Sequence, residues 1–216
     1  VWGHHLYLPA PDLAAYNPTG PSVLYRRNYS SARAKTGYGS PGLSAGWVDN
    51  FDVTIKETES EYPTGWKNLK LTYPTGGSEG LVPNTDGGRP TGEIGAPAGV
   101  PYLATGIPVD KDDPTKGWTV IRITWKDGTT WSFTPMAGAV GRYILTEISN
   151  RLAQSVAIGR GYKGRVTSVG GDLLTFSYDS GAIPRVEWVK DKYGRKVTYT
   201  FEDDQLYLDG NGVQHR

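Results

Sequence analysis

"VKDKYGRKVTYTFEDD", residues 189–204, sets Asp191 and Gly194 in front of an alternating Val-Thr-Tyr-Thr-Phe run. Alternation with period two reads as a strand, and an aspartate and a glycine ahead of it read as a turn. Eighteen residues on, Asp209 and Gly212 repeat the turn. Working outward, Gly141-Arg142, Gly164-Arg165, Pro184-Arg185 and Gln205-Leu206 open similar segments at spacings of 23, 20 and 21 residues. Aromatic strands lie between them: "WSFTP", "LTFSYD" and "VTYTFED". Tyr178 and Tyr199 are 21 residues apart. The stretch is therefore one beat of a repeat. A single hairpin cannot bury its own face, so successive hairpins stack side by side in a growing sheet.

The same alternation predicts strands over residues 22–29, 46–56, 66–73, 119–125, 129–134, 142–149, 155–158, 165–169, 173–178, 185–190, 195–201 and 205–208. The best helical candidate, 13–16, is only four residues long. Residues 74–117 hold ten glycines and seven of the 15 prolines, and proline cannot donate to a sheet ladder. This segment reads as a long insertion packed over the sheet. In "VIRITWKDGTTWSF" a three-residue loop, Lys126-Asp127-Gly128, with Gly128 left-handed, pairs Ile123 with Trp131 and Ile121 with Phe133. That register puts every large apolar residue on one face. A four-residue loop at Asp191–Gly194 would pair Trp188 with Val197 and Val186 with Tyr199.

A net charge of +1 with no long run of one sign argues against a nucleic-acid or membrane-surface partner. Without cysteine there is neither a disulfide framework nor a thiolate metal site. No stretch approaches 18 apolar residues, so no membrane-spanning helix is expected, and the first residues lack a signal peptide's basic start and apolar core. His4 and His5 are adjacent, so in a strand they face opposite ways, and His215 lies far along the chain. No Ser-His-Asp arrangement, metal site or cofactor site follows from them. Residues 110–114 (DKDDP) lack the glycine and glutamate of a calcium loop, because Thr115 and Ile121 occupy those positions. Glu57, Glu59 and Glu61 alternate along one edge, the thinnest basis for a glycosidase-like pair. Trp47, Trp66, Trp118, Trp125, Trp131 and Trp188 could floor a sugar-binding platform. Trp125, Trp131 and Trp188 share a face with Ile and Val and read as core, which leaves Trp66 and Trp118 as the candidate platform.

The repeat resembles the RHS/YD-repeat family, whose units look like Gly-Arg-Leu-x-x-Val-x-Asp-x-x-Gly-x-x-x-x-Tyr-x-Tyr-Asp. "FSYD" at Phe176–Asp179 and "VKDKYGRKVTYTFED" are close matches. Upstream, Tyr29-Ser30-Ser31, Gly42, Gly46-Trp47 and Asn50-Phe51-Asp52 resemble the segment that opens such arrays. "WKDGTTWSFTP" and "ILTEISNRLAQSVAI" resemble its bridging part. The likeness spans about residues 22–216. It implies an all-β fold of antiparallel hairpins in one extended, strongly twisted sheet, with 74–117 as a Gly/Pro-rich covering loop. It also implies one domain over 1–216, divided into an opening segment (1–73), the insertion (74–117) and hairpin repeats (118–216). The functional expectation is non-enzymatic: part of a bacterial β-shell, secreted or at the cell surface, that encloses or presents an effector. Its partners would be the rest of a longer polypeptide and its C-terminal cargo, with self-association through open sheet edges. Its structural residues would be Gly46, Trp47, Asp127, Gly128, Tyr178, Asp179, Asp191, Gly194, Tyr199, Asp209 and Gly212. The alternative is a glycan- or cell-surface-binding module using Trp66 and Trp118.

Overall fold

The computed structural model describes residues 6–58 and 65–201, and the backbone of 207–208 and 214–215. His4, His5, Glu59, Glu61, Asp209 and Gly212 lie outside the described residues, as does the His215 side chain. The N-terminal part contains β1 (Leu6–Tyr7), β2 (Leu13–Ala15), β3 (Val23–Tyr25), β4 (Arg27–Ser30), the one-turn helix α1 (Ser31–Lys35) and β5 (Trp47–Asp49). The short helical candidate at 13–16 falls on the strand β2. Then come β6 (Thr54–Glu57), β7 (Leu69–Thr72), β8 (Ser78–Asp86), β9 (Arg89–Gly95), β10 (Tyr102–Pro108), β11 (Trp118–Trp125), β12 (Thr130–Pro135) and β13 (Arg142–Ser149). The last part comprises β14 (Ser155–Arg160), β15 (Val166–Val169), β16 (Leu174–Tyr178), β17 (Val186–Asp191), β18 (Lys196–Thr198), β19 (Tyr207–Leu208) and β20 (Gln214–His215).

The fold is all-β and antiparallel, but it is not one open sheet. Strands β6 to β13 follow one another as neighbours, and β13 returns to pair with β6, closing an eight-stranded barrel. Eight strands enclose just enough room for side chains. Ile55, Leu69, Leu71, Leu81, Ile121, Ile123, Phe133 and Leu145 fill it and are buried. Residues 74–117 are therefore not a covering loop: they supply β8, β9 and β10, three staves of the wall. Their prolines sit where a ladder tolerates them. Pro83 and Pro108 lie at register shifts. Gly87 and Gly88, both at positive φ, make the two-residue turn that pairs Asp86 with Arg89. On β10, Tyr102, Ala104 and Gly106 face inward while Leu103, Thr105 and Ile107 face out. A Cβ at Gly106 would lie 2.5 Å from the Trp118 ring, so glycine there makes room for an indole inside the barrel.

Beyond the barrel, β14 to β18 form a hairpin meander. It joins through β13, whose one edge is shared: Arg142 to Ile144 pair with β6, while Glu147 to Ser149 pair with β14. The other edge of β13 pairs with β12. The inner face of the meander carries Val156, Ile158, Val166, Val169, Leu174, Phe176, Val186 and Val189, all buried. The β2–β3 hairpin lies over it, with Leu13, Ala15, Val23 and Tyr25 buried and the Tyr25 ring edge-on to Phe176 at 5.1 Å.

The loop at Asp127-Gly128 has the expected form. Ile121 pairs with Phe133, Ile123 with Trp131, and Gly128 has φ +84°. The register at Asp191 differs from expectation by one residue: Val189 pairs with Val197 and Trp188 with Thr198. The loop holds three residues rather than four, because Asp191 N–H donates to Arg195 O at 3.0 Å. On its other edge β17 carries a bulge. Tyr178 pairs with Val186 and Ser177 with Trp188, leaving Glu187 as an extra residue. The bulge turns both Val186 and Val189 inward and puts Trp188 outside, between the ammonium groups of Lys190 and Lys196. Trp188 is therefore not core.

Candidate functional site: a buried polar clasp where the sheet forks

At the fork β13 changes partner, and an edge that changes partner leaves backbone groups to be satisfied elsewhere. Leu145 N–H donates to Val53 O at 3.3 Å. Leu145 O accepts from Arg160 Nε at 3.0 Å and Nη2 at 2.7 Å. The same guanidinium donates to Phe51 O at 2.8 Å and to Gly164 O at 3.0 Å. One arginine at the end of β14 thus ties the barrel, the N-terminal segment and the β14–β15 loop. A planar fork of donors suits this task and a lysine would not.

Around it lies the Asp49-Asn50-Phe51-Asp52 turn. Phe51 N–H donates to Asp49 Oδ1 at 2.8 Å, and Asp49 N–H donates to Ser40 Oγ at 3.0 Å. Ser40 Oγ donates on to Asp52 Oδ2 at 2.8 Å, and Tyr38 Oη donates to the same oxygen at 2.7 Å. Asn50 bridges back to β3–β4: its Oδ1 accepts Arg26 N–H at 2.8 Å and its Nδ2 donates to Leu24 O at 3.1 Å. This turn breaks the single strand expected over 46–56 into β5 and β6. Asp49, Asp52 and Ser40 are buried. Burial first, and the neighbouring Asp52 charge second, push the Asp49 carboxyl up to about 6 against the pull of Arg160. Burial also lowers the Arg160 guanidinium and raises the Tyr38 hydroxyl. A cavity of about 220 Å³ lies against the clasp, lined also by Met136, Arg142 and Lys163.

Of the turn and repeat residues named from sequence, Tyr178 lies beside this clasp, and most of the others are spread over the N-terminal segment and the meander. Gly46, at φ +86°, packs where a Cβ would lie 2.6 Å from the Tyr29 ring. The Trp47 ring packs tilted against Tyr29 at 5.4 Å, with the Arg27 guanidinium over its ring at 5.4 Å. Tyr178 Oη donates to Val166 O at 2.7 Å, and its ring would be 2.5 Å from a Cβ at Gly42. Gly42 O in turn accepts Val186 N–H at 2.9 Å. Tyr199 Oη donates to Asp12 Oδ2 at 3.2 Å, beneath the Arg27 guanidinium at 4.3 Å. Asp179 Oδ1 accepts the N–H groups of Gly181 and Arg185, closing its loop. Asp191 is buried. Burial opposes its charge, but the Arg195 side chain and the Arg195 and Tyr193 N–H groups outweigh that and hold the carboxyl below the usual range. Gly194 supplies the positive φ of that turn. Asp127 and Gly128 lie apart from this group, on the barrel, where Asp127 Oδ1 accepts Thr129 N–H at 2.8 Å.

Trp66 and Trp118 do not form an exposed platform. They are 3% and 1% exposed, with ring centroids 5.0 Å apart inside the barrel wall. In the DKDDP stretch, Asp113 Oδ1 accepts Thr115 N–H at 3.0 Å, capping a single 3₁₀ turn at Pro114–Lys116. Asp110 pairs with Lys116 at 2.9 Å. The resemblance had pointed to Asn50-Phe51-Asp52 and Gly42, but Asp49, Ser40, Tyr38 and Arg160 carried no signal that sequence reasoning used. The "D-N-F-D" spelling is the one that would have suggested a carboxylate pair. No protein-family model matches the chain, and no curated protein matches it.

Proposed function

We propose that the chain is a non-enzymatic structural element, the opening section of an RHS/YD-repeat type β-shell that encloses or presents a secreted effector. The observation that carries this reading is the divided edge of β13. Because the barrel closes on itself, the hairpin meander can extend in one direction only, away from it. The N-terminal hairpin already covers its inner face, and among the described residues the outer edge of β18 has no strand beside it. Such a piece both begins a sheet and prevents that sheet from running backwards. The buried polar groups support the same reading, since their hydrogen bonds join segments to one another. The rest of the shell and its cargo are the partners on this reading, and the site of action is outside the producing bacterium. The platform reading lost its two tryptophans to the barrel interior.

Electron microscopy of the full gene product tests the proposal. A hollow shell with the β14–β18 sheet in its wall is the expected result. A compact particle with no enclosed space rejects it.

A further inference from the structure

We infer that one end of the barrel holds a binding site for the ammonium group of an aliphatic amine, with Glu57 as its counter-ion. A cavity of about 430 Å³ opens there, where β6 ends and β11 and β13 begin. Glu57 lines it and its side chain is only 12% exposed. Tyr143 Oη accepts Trp118 N–H at 2.9 Å, so its single proton is committed to Glu57 Oε1, at 2.8 Å. The carboxylate is thereby held in one orientation. Gly117 and Gly141, at φ +67° and +66°, flank it, and a Cβ on either would lie 2.8 Å from one of its oxygens. No side chain from those two positions shields it.

The charge of this carboxylate is weakly matched. Lys67 Nζ stands 3.7 Å from Oε2 on a side chain that is 52% exposed, and such a pair contributes little. Lys116 also lines the cavity, but its ammonium is taken by Asp110 at 2.9 Å and Asp113 at 3.6 Å. The remaining wall includes Pro135, Met136, Ala139 and Val140. A carboxylate set beside these apolar residues, with only a half-exposed lysine 3.7 Å from it, matches an alkyl chain ending in a cation. Lys67 is then an internal competitor.

Amide chemical shifts of the whole chain, titrated with 1,5-diaminopentane and separately with Nα-acetyl-lysine methylamide, test this. Saturable shifts at Gly117, Trp118 and Gly141 are expected, with roughly millimolar affinity, in line with one weakly desolvated ion pair. Glu57→Gln can still accept from Tyr143 and so keeps the fold, yet weakens binding about tenfold by removing the charge. Lys67→Met tightens binding, an effect that a purely structural Glu57–Tyr143 tie would not produce. Stronger binding of the lysine derivative assigns the site to a polypeptide lysine, and stronger binding of the diamine assigns it to a free amine. No saturable shift, equal shifts with neutral 1-pentanol, or unchanged binding in Glu57→Gln overturns the proposal.

Discussion

Asp49 is the residue through which acidity should reach the fold. Its folded carboxyl titrates near 6, above the ordinary value of 3.8. Below about pH 4 the carboxyl is protonated in the folded and unfolded chains alike, and its contribution is fully present. Between about 4 and 6 the folded chain keeps a proton that the unfolded chain has released, so stability falls as pH rises. Above about 6 the loss is complete, about 3 kcal/mol from the size of the shift. Urea unfolding of wild type and Asp49→Asn from pH 4 to 8 should show this descending component in the difference between the two, because Asn lacks it. A difference that stays constant across that window would show that Asp49 titrates normally. Arg160 is the opposite case, a charge that holds rather than titrates. Arg160→Met strands Leu145 O, Phe51 O and two buried carboxylates, and should cost roughly 3–5 kcal/mol. Arg160→Lys should recover little of it, since one ammonium cannot reproduce the fork. An Arg160→Lys midpoint close to wild type would contradict this. None of this was legible locally: Arg160 meets Phe51 across 109 residues, and only "DNFD" hinted at its partners.

At the scale of the element, what could be read depended on whether one face stayed apolar throughout. The β11–β12 hairpin was legible because its bulged loop alone put Ile121, Ile123, Trp131 and Phe133 together. The β17–β18 hairpin was not, because the extra residue at Glu187 changes face within a strand and hides a second apolar set. Strands β8 to β10 are hidden by their proline density, because only the position of Pro83 and Pro108 at register shifts shows that the ladder tolerates them, although Gly87-Gly88 is an overt turn signal. Strand β10 offers a direct check. Gly106→Val should drive its side chain into Trp118 and destabilise the barrel by about 1–3 kcal/mol or more. The perturbation should appear as a shift of buried tryptophan emission. If Gly106→Val unfolds at the wild-type midpoint with unchanged emission, Trp118 does not fill the barrel against β10.

At the scale of the whole molecule, the all-β antiparallel character was legible, but barrel closure was not. Closure rests on residues 54–56 meeting 142–144, a long-range pairing with no local signature. Among the described residues the same closure leaves β18 as the sheet's unpaired side, and unpaired edges invite pairing with another chain. Tyr199 N–H bonds inward to Glu187 O, so by alternation the Thr198 N–H points outward. Sedimentation of the isolated chain should show concentration-dependent self-association that Thr198→Pro reduces without lowering thermal stability. An association unaffected by Thr198→Pro would place the contact elsewhere.

The joining of the β2–β3 hairpin to the end of the meander fixes an order of events during synthesis. Chains emerge at about 5–20 residues per second. The barrel can close once β13 is out. Asp12, however, waits for Tyr199, 187 residues behind it, which is roughly 10–40 s of translation at that pace. For that interval the apolar side of the β2–β3 hairpin has no finished sheet to lie on. The β2–β3 hairpin, made well before the sheet it lies on, is therefore late to settle, and a nascent chain should be most open to proteases and chaperones around that hairpin until β17 and β18 appear.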